Sequence, residues 1–486
     1  MGAPKNLRAA GRFLDVFYQD FNAGTAYSLP QRIAIFAQGS ESSTYSTDKF
    51  EITSNQDVAD KMGFGSPAHL VAKELFPANG GVLLGVGVTV YPLPNEAGGV
   101  QAAADITPAG TQTVAAQYFV RVGGVTSNAF TALKDETPAE IVPKIVTAIN
   151  GNLDMPVIAT DETTKVTITA KHKGTTGNDL VVEVIGTPQG VTFATTAMTG
   201  GLVDPDIDVA TGQVGDIWET LIINQLGTVA HDKLQVFNDA RWNQLVAKPF
   251  VAYYGTSETD ETVLKAYTAN RKQDKANGVM PCPGSSSAPW IIAARAVGRI
   301  ANQANNHPAM EYRNLRLDTI VPGKDGEQWS YDERDLAWKA GVSSTQIIAG
   351  SHVLDNTLTF YHPDGQVNPA FGKQVYHTKL YTVMYNVNLI INSDEWSQVA
   401  LIPDDQVSTS PDTRKPNDLK TQLYVLADNL ADDAIISDAE FTKANIVVGI
   451  DDQNPNRVNV TFPVKLSGNW DIISVDLPFG FYLGGA

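Results

Sequence analysis

The sequence predicts an α/β fold of α+β multi-domain type: an α/β core, an inserted β-rich domain, and a C-terminal α+β domain ending in extended β arms. Three observations predict it. Strand-like and helix-like patterns alternate across 23–93 and 206–350, as in a largely parallel sheet with helices on its faces. From Asn95 to Asp204 the composition turns to Thr, Val, Gly and Ala with few aromatics, and both flanks then resume the α/β pattern. From Arg457 to the end, apolar and polar residues alternate with the period of a strand.

In chain order, Arg12–Gln19 is a short β-capable stretch with no obvious partner strand. Gln31–Gln38 reads as a buried strand. Asn55 starts a helix-like segment that stops at Gly63, and Pro67–Phe76 is a second helix. Val82–Leu93 is a strand run with few polar residues, as in a sheet covered on both faces. In the β-rich stretch, strands are expected at Gln117–Val122, Lys165–Ala170 and Leu180–Ile185, with a helix at Pro138–Asn150.

The apolar spacing of Ile217, Leu221, Ile222 and Leu226 predicts an amphipathic helix over Asp216–Leu226, with a short strand at Leu234–Phe237. Phe250–Tyr254 reads as a strand, and Glu261–Asp274 as a helix ended by Asn277-Gly278. Pro289–Gln303 and Ser330–Gly341 read as helices, and Leu358–His362 as a strand. A long helix is expected over 375–402 and another over Pro416–Leu430. The domain boundaries follow: an N-terminal arm 1–22, a core of 23–94 plus 206–365, the insert 95–205, a C-terminal domain 366–469 and a terminal arm 470–486.

The tail carries two alternations. Val458, Val460, Phe462, Val464 and Leu466 form the first, which predicts a strand with one buried face. Ile473, Val475, Leu477, Phe479, Phe481 and Leu483 form the second, where Pro478 and Gly480 suit a sheet edge or an arm. Burying the first five side chains contributes roughly 8–15 kcal/mol. Ordering their nine backbones costs on the order of 9–18 kcal/mol. Such a strand is ordered only where a sheet supplies hydrogen bonds and a packing face.

Composition excludes several classes. A 43% hydrophobic and 18% charged chain of 486 residues is globular, with a length suited to about three domains. Its net charge of −18, without a dense Lys/Arg run, argues against a nucleic-acid partner. No run approaches a membrane span, no signal peptide is expected at Met1–Lys5, and Asn6 discounts myristoylation at Gly2. Cys282 is the single cysteine, which points to a reducing compartment and reads as a small packed thiol in a turn.

No catalytic set closes. Gly80-Gly81 to Gly87 leads into a strand rather than a helix, so it is no phosphate loop. Asp204, Asp206 and Asp208 mimic the start of a calcium loop, but Val209 and Gly215 stand where glycine and glutamate are needed. The histidines are scattered, and His231-Asp232 has no nucleophile elbow to serve. Ser285–Ser287 reads as a helix lead-in, and the pairs Asp404-Asp405, Asp432-Asp433 and Asp451-Asp452 as solvated turns. No metal and no cofactor is expected.

Particular stretches carry a family likeness: Pro30-Gln31-Arg32-Ile33-Ala34-Ile35, Asp57–Ser66, Trp329–Leu336, Gly341–Ser344 and, most clearly, Asp452-Gln453-Asn454-Pro455-Asn456-Arg457-Val458-Asn459-Val460. In their order and spacing the chain resembles the contractile-tail sheath proteins of myophages, in particular the Mu-like tail sheath group. It departs at Asn306–Glu311, where the family often runs from Asn/Asp-Pro-Ala into Arg-Pro.

The resemblance implies a non-enzymatic subunit that stacks as hexameric rings around an inner tail tube and contracts to drive the tube through the host envelope. It implies a homo-oligomer in contact with the tube, baseplate and tail terminator proteins, without nucleic acid or membrane insertion. The place implied is the virion tail, assembled in the host cytoplasm. Family sheaths link subunits by terminal arms that add strands to a neighbour. Here those arms are expected at Phe13, Val16, Phe17 and Tyr18, and at Ile473 to Leu483, with Val458, Val460, Phe462 and Val464 in the accepting sheet. The insert is expected on the outside, and Arg414, Lys415 and Lys420 toward the tube. Two other readings stay open from the residues alone: a hydrolase using His231 with a serine, and an adhesin built on the insert.

Overall fold

The computed structural model describes residues 29–77, 83 and 85–480. β1 (Arg32–Gln38) is buried from Ile33 to Gln38. β2 (Phe50–Ile52) follows, then α1 (Asn55–Met62) and α2 (Pro67–Leu75). Ser54 and Asp57 cap α1 reciprocally, while Ser66 accepts from the His69 N–H with Pro67 in the first turn of α2. β3 (Gly87–Leu93) completes this part and pairs parallel with β1 along its whole length.

The chain then leaves the core for strands that pair only among themselves. β4 (Gln101–Ala109), β5 (Ala116–Val122), β6 (Val125–Thr126) and β7 (Phe130–Ala132) precede α3 (Pro138–Asn150). β8 (Val157–Asp161), β9 (Val166–Lys173), β10 (Val182–Ile185) and β11 (Thr192–Thr195) follow. They form two antiparallel sheets, β11-β4-β9-β8 and β10-β5-β6, with β7 also on β5. Alternate burial along β4 and β9 is the period-2 pattern of sheets packed on one face.

After α4 (Asp208–Thr211) the core resumes with β12 (Leu221–Asn224), α5 (His231–Arg241), β13 (Val251–Thr256), α6 (Glu261–Thr268) and β14 (Asn277–Pro281). α7 (Pro289–Asn306), α8 (Tyr331–Lys339), the hairpin β15 (Ser344–Ile348) and β16 (Ser351–Asn356), and α9 (Gln374–Ile391) complete this unit. The central sheet runs β14-β13-β12-β1-β3-β2, parallel except for β2. α2 and α7 pack on one face of it; Ile207, Ala210, Val214 and Leu234 from α4 and α5 and their approaches pack on Phe36, Tyr91 and Ile222 on the other. At Gly255 an added Cβ would lie 2.2 Å from the Pro289 carbonyl, so β13 approaches the start of α7 more closely than a side chain permits.

A second compact unit comprises Ala309–Glu311 and the chain from Val399 onward. β17 (Ala400–Leu401) and β18 (Thr413–Arg414) form a parallel pair. α10 (Pro416–Asp432) and α11 (Ala439–Asn445) pack beside the antiparallel hairpin of β19 (Val447–Ile450) and β20 (Val458–Thr461). Leu419, Leu423, Leu426, Ala427, Leu430, Ile435, Ile436 and Ile446 are among its buried apolar residues. Mixed helices and strands in several sheets make the whole chain an α+β multi-domain fold.

Several local expectations are corrected. Residues 216–226 are not a helix: Leu221–Asn224 is β12, held between β1 and β13. Leu234–Phe237 is not a strand but part of α5. The helix from Glu261 ends at Thr268, and Asn277-Gly278 begins β14 rather than ending a helix. Leu358 makes a single bridge to Lys373 instead of a strand over 358–362. The helix expected over 375–402 stops at Ile391, where Asn388 and Asn392 close the last turn.

Five histidines are buried: His69, His172, His231, His352 and His377. Desolvation pushes the pKa of His69, His172, His352 and His377 down to about 4. The folded chain therefore keeps them neutral while the unfolded chain protonates them near the ordinary value. Their contribution is full above about pH 6.5 and is lost as pH falls toward 4, on the order of 3 kcal/mol each. Urea unfolding followed by circular dichroism should show a midpoint that falls steeply between pH 6.5 and 4.5; a flat midpoint over that range contradicts the assignment.

Candidate assembly surface

The clearest motif of the likeness, Asp452–Val460, forms the turn and second strand of the β19–β20 hairpin. Its organiser is the residue just before it. Asp451 is 8% exposed; its carboxylate accepts from the Gln453 and Asn454 N–H groups at 3.0 and 3.1 Å and from Asn459 Nδ2 at 2.9 Å. The Asp451 N–H donates to the Arg457 carbonyl at 2.9 Å, and the Arg457 guanidinium lies 3.8 Å from the carboxylate. Of the pair read as a solvated turn, only Asp452 is exposed. The spacing of Asp451 to Asn454 and Asn459 was the available signal.

The residues expected to accept the arms sit on this hairpin and just beyond it. The strand is shorter than the alternation predicted and has no buried face: Val458 is half-buried, Asn459 and Thr461 are exposed, and Val460 is 37% exposed. Phe462 and Val464 are half-buried and continue as extended chain to Leu466, which bridges Ile436. Among the described residues, the main chain of Val458–Thr461 bonds only across the hairpin to β19. Among the described residues no strand pairs with its outer edge.

Beyond the hairpin, Ser467 bonds the Ile435 carbonyl through its N–H at 2.9 Å, and Asn469 Nδ2 bonds the Ala309 carbonyl at 3.0 Å. From Ile472 to Gly480 every residue is exposed and none is in a strand, so the second alternation forms no sheet within the chain over the described residues. Ile473, Val475, Leu477 and Phe479 are 69%, 76%, 82% and 86% exposed. Phe13, Val16, Phe17, Tyr18, Phe481 and Leu483 lie outside the described residues.

The three basic candidates are engaged locally. Arg414 donates to the Pro411 and Thr413 carbonyls at 3.1 and 2.9 Å. Lys415 Nζ reaches the Asp404 carbonyl at 3.1 Å, and Asn417 N–H bonds the Asp404 carboxylate at 2.9 Å, which pins the loop before α10. Lys420 lies 5.6 Å from the Tyr424 ring and is half-buried.

The residues weighed for chemistry are structural. His231 is packed against Tyr254, Tyr267 and Phe360, and its imidazole bonds the Tyr267 hydroxyl at 2.6 Å, not a serine. Burial, then the Arg271 charge, holds its pKa well below the ordinary value. Ser285 Oγ donates to the Val321 carbonyl at 2.6 Å and Ser287 Oγ accepts from the Val321 N–H at 3.0 Å, fixing the approach to α7. Burial pushes the Cys282 thiol up to about 12, so it is no nucleophile at neutral pH; it follows β14 directly. Asp206 and Asp208 both hold Lys233, while Asp204 accepts from Thr175. Gly85 and Gly87 lead into β3, and Gly80 and Gly81 lie outside the described residues. Among the described residues no helix is long and apolar enough to cross a membrane.

No family model matches the chain. Over 406 residues it is 24% identical to the Mu-like prophage FluMu tail sheath protein of Haemophilus influenzae, covering 80% of this chain and 81% of that one. The chain is similar to a Mu-like tail sheath protein. That bears out the likeness read from Asp452–Val460 and the other stretches, and supports a structural sheath subunit; it lends nothing to the hydrolase or the adhesin. Among solved structures, the sheath tail protein of Listeria innocua aligns with 13% identity, TM-score 0.48, 92% of this chain and 94% of its own. That of Desulfitobacterium hafniense aligns with 12% identity, TM-score 0.47, 90% and 93%. A chain of the anti-feeding prophage baseplate aligns with 9% identity, TM-score 0.48, 98% and 100%.

Replacing Asp451 with Ala removes three charge-assisted hydrogen bonds from the hairpin turn. Amides of β19 and β20 should exchange faster by an amount equivalent to about 2–4 kcal/mol, with those of β1 and β12 unchanged. Equal protection in both proteins would show that the turn does not depend on this carboxylate.

Proposed function

We propose that the chain is a non-enzymatic structural subunit of a contractile phage tail sheath. Copies polymerise as stacked hexameric rings around an inner tail tube, and the assembly shortens to drive the tube through the host envelope. The observation that carries this reading is the relation to a tail sheath protein over most of both chains. Two features of the second unit support it: an apolar tail exposed to solvent, and a hairpin whose outer edge pairs with no described strand.

The physical role of the tail follows from those features. Burying Ile473, Val475, Leu477 and Phe479 on another copy contributes roughly 6–12 kcal/mol before ordering costs. Strand addition to the β20 region supplies main-chain hydrogen bonds that survive rotation of the bodies they join. Phe13, Val16, Phe17 and Tyr18 play the same part at the other end, and Val458, Val460, Phe462 and Val464 receive the arms. Residues 95–205 form the outer domain and 366–469 the domain toward the tube. The tube, baseplate and tail terminator proteins are the partners; the place is the virion, after assembly in the host cytoplasm.

Because every residue of Ile472–Gly480 is exposed, removing 470–486 should leave the melting temperature within about 2 °C. Negative-stain micrographs should show that it abolishes cylinders. Cylinders from the shortened chain would sink the arm linkage. For the tube contact, Lys420→Glu is the informative change, since Arg414 and Lys415 also hold their own loop. Co-expressed tube protein should recover several-fold less of this variant; equal recovery would remove Lys420 from the interface.

A further inference from the structure

The β19–β20 hairpin has a fixed parity. Its strands pair in register from Val447 opposite Thr461 to Ile450 opposite Val458. One step further the Asp451 N–H donates to the Arg457 carbonyl, which marks that position as a bonded one. Bonded and non-bonded pairs alternate in an antiparallel ladder. Asn459 and Thr461 therefore turn their main-chain groups to β19, while Val458 and Val460 turn theirs to the outer edge. Opposite residues share a face, so Val458 and Val460 stand beside Ile450 and Val448 on one apolar face, with Asn459 and Thr461 on the other.

The tail has a parity of its own. Extended, it carries Ile473, Val475 and Leu477 on one face and Ser474, Asp476 and Pro478 on the other, and all six are exposed. Main-chain groups alternate in step with the side chains, so each set also bonds toward one edge. Pro478 has no N–H to give. Two placements beside β20 would continue its apolar face. In the antiparallel one, residues opposite Val458 and Val460 bond them directly. Ile473, Val475 and Leu477 then extend the face and supply the bonds, and Pro478 turns outward. In the parallel one a residue bonds the two neighbours of its opposite number. The same face then puts Ser474, Asp476 and Pro478 in the ladder, where the missing N–H leaves a carbonyl of β20 unpaired.

We propose that the tail of a second copy of this chain docks antiparallel to β20, with Ile473, Val475 and Leu477 on the same face as Val458 and Val460 and bonded to that edge. The inference rests on the reading that copies associate by strand addition, and adds the direction and parity of the added strand. Side-chain continuity and the place of the proline select the same arrangement independently. Val448, Ile450 and Val458 are half-buried and Val460 is 37% exposed, so the apolar face is least covered at the margin where the added strand lies.

The test uses the full chain, below the concentration at which it polymerises, and a fluorescein-labelled peptide of residues 470–486 followed by anisotropy. Val475→Pro in the peptide removes an N–H that faces β20, and should bind about tenfold more weakly than Val475→Ala, the size expected for one lost hydrogen bond. Asp476→Pro removes an N–H that faces outward, and should stay within about threefold of the unchanged peptide. In the chain, Val460→Pro should weaken the unchanged peptide about tenfold relative to Val460→Ala, at an equal melting temperature, because the lost N–H lies outside the hairpin ladder. The reverse order of the two peptide prolines means a parallel tail and overturns the proposal. Equal effects of the two prolines overturn it as well, as does an unchanged peptide that fails to bind. If the peptides bind in the expected order and the unchanged chain forms no cylinders, the sheath reading fails and the direction of the tail stands. Cylinders without peptide binding leave the sheath reading in place and remove this docking.

Discussion

The double pairing of β1 sets the architecture of the first unit. Ile33 to Phe36 bond β12 on one side while Arg32 to Gln38 bond β3 on the other, both parallel. Parallel neighbours require crossovers, and a strand with two such neighbours must be covered on both faces. That constraint accounts for α2 and α7 on one side and α4 and α5 on the other, and for the near-continuous burial of β1, β3, β12 and β13. It also fixes where extra chain can be accommodated. The crossover from β3 to β12 is the long one, and the β-rich insert occupies it.

What could be read directly from the residues had local causes. The helix at Pro138–Asn150 was legible because Thr137 and Glu140 cap it and Ile141, Ile145, Ala148 and Ile149 repeat at helical spacing. β12 was not. Leu221, Ile222 and Leu226 fit a 3.6-residue period, yet Leu221–Ile223 is equally a continuous apolar strand, and only distant partners in β1 and β13 decide between them. α5 is mostly polar and buries only Leu234 among its large aliphatic residues, so its periodicity is faint. Asn277-Gly278 has the composition of a turn, but an added Cβ at Gly278 would meet the Tyr253 ring at 2.4 Å, so the glycine serves close packing. β4 has four alanines among its nine residues and β-branched side chains only at Ile106 and Thr107, so the composition that marks strands is thin there.

The candidate assembly surface was legible in part, and for a different reason. Alternation along 473–480 shows in the residues without any knowledge of the fold, and the structure leaves that segment exposed. The buried role of Asp451 was hidden because adjacent acidic residues look alike in sequence; the loop geometry turns one inward and the other out. Arg414 and Lys415 illustrate the opposite limit. Their charge drew attention, but the carbonyl groups that occupy them come from a loop whose course no pattern announces.

Part of the attachment of the insert is made of amides. The Gln38 N–H donates to Gln225 Oε1 at 2.6 Å, Gln225 Nε2 returns to Gln38 Oε1 at 2.9 Å and reaches Thr176 at 3.1 Å, and Gln38 Nε2 reaches the Lys173 carbonyl at 3.0 Å. All of this is buried, so losing either glutamine strands polar groups away from water. Elsewhere the Glu41 N–H bonds the Lys171 carbonyl, the Ala288 N–H bonds the Gly123 carbonyl, and Lys73–Asp154 and Lys173–Glu41 are ion pairs between insert and core. A foreign outer module spliced between Asn95 and Asp204 must therefore reproduce these contacts, as well as a carbonyl and a hydroxyl where Lys173 and Thr176 now stand, before it can replace the native one.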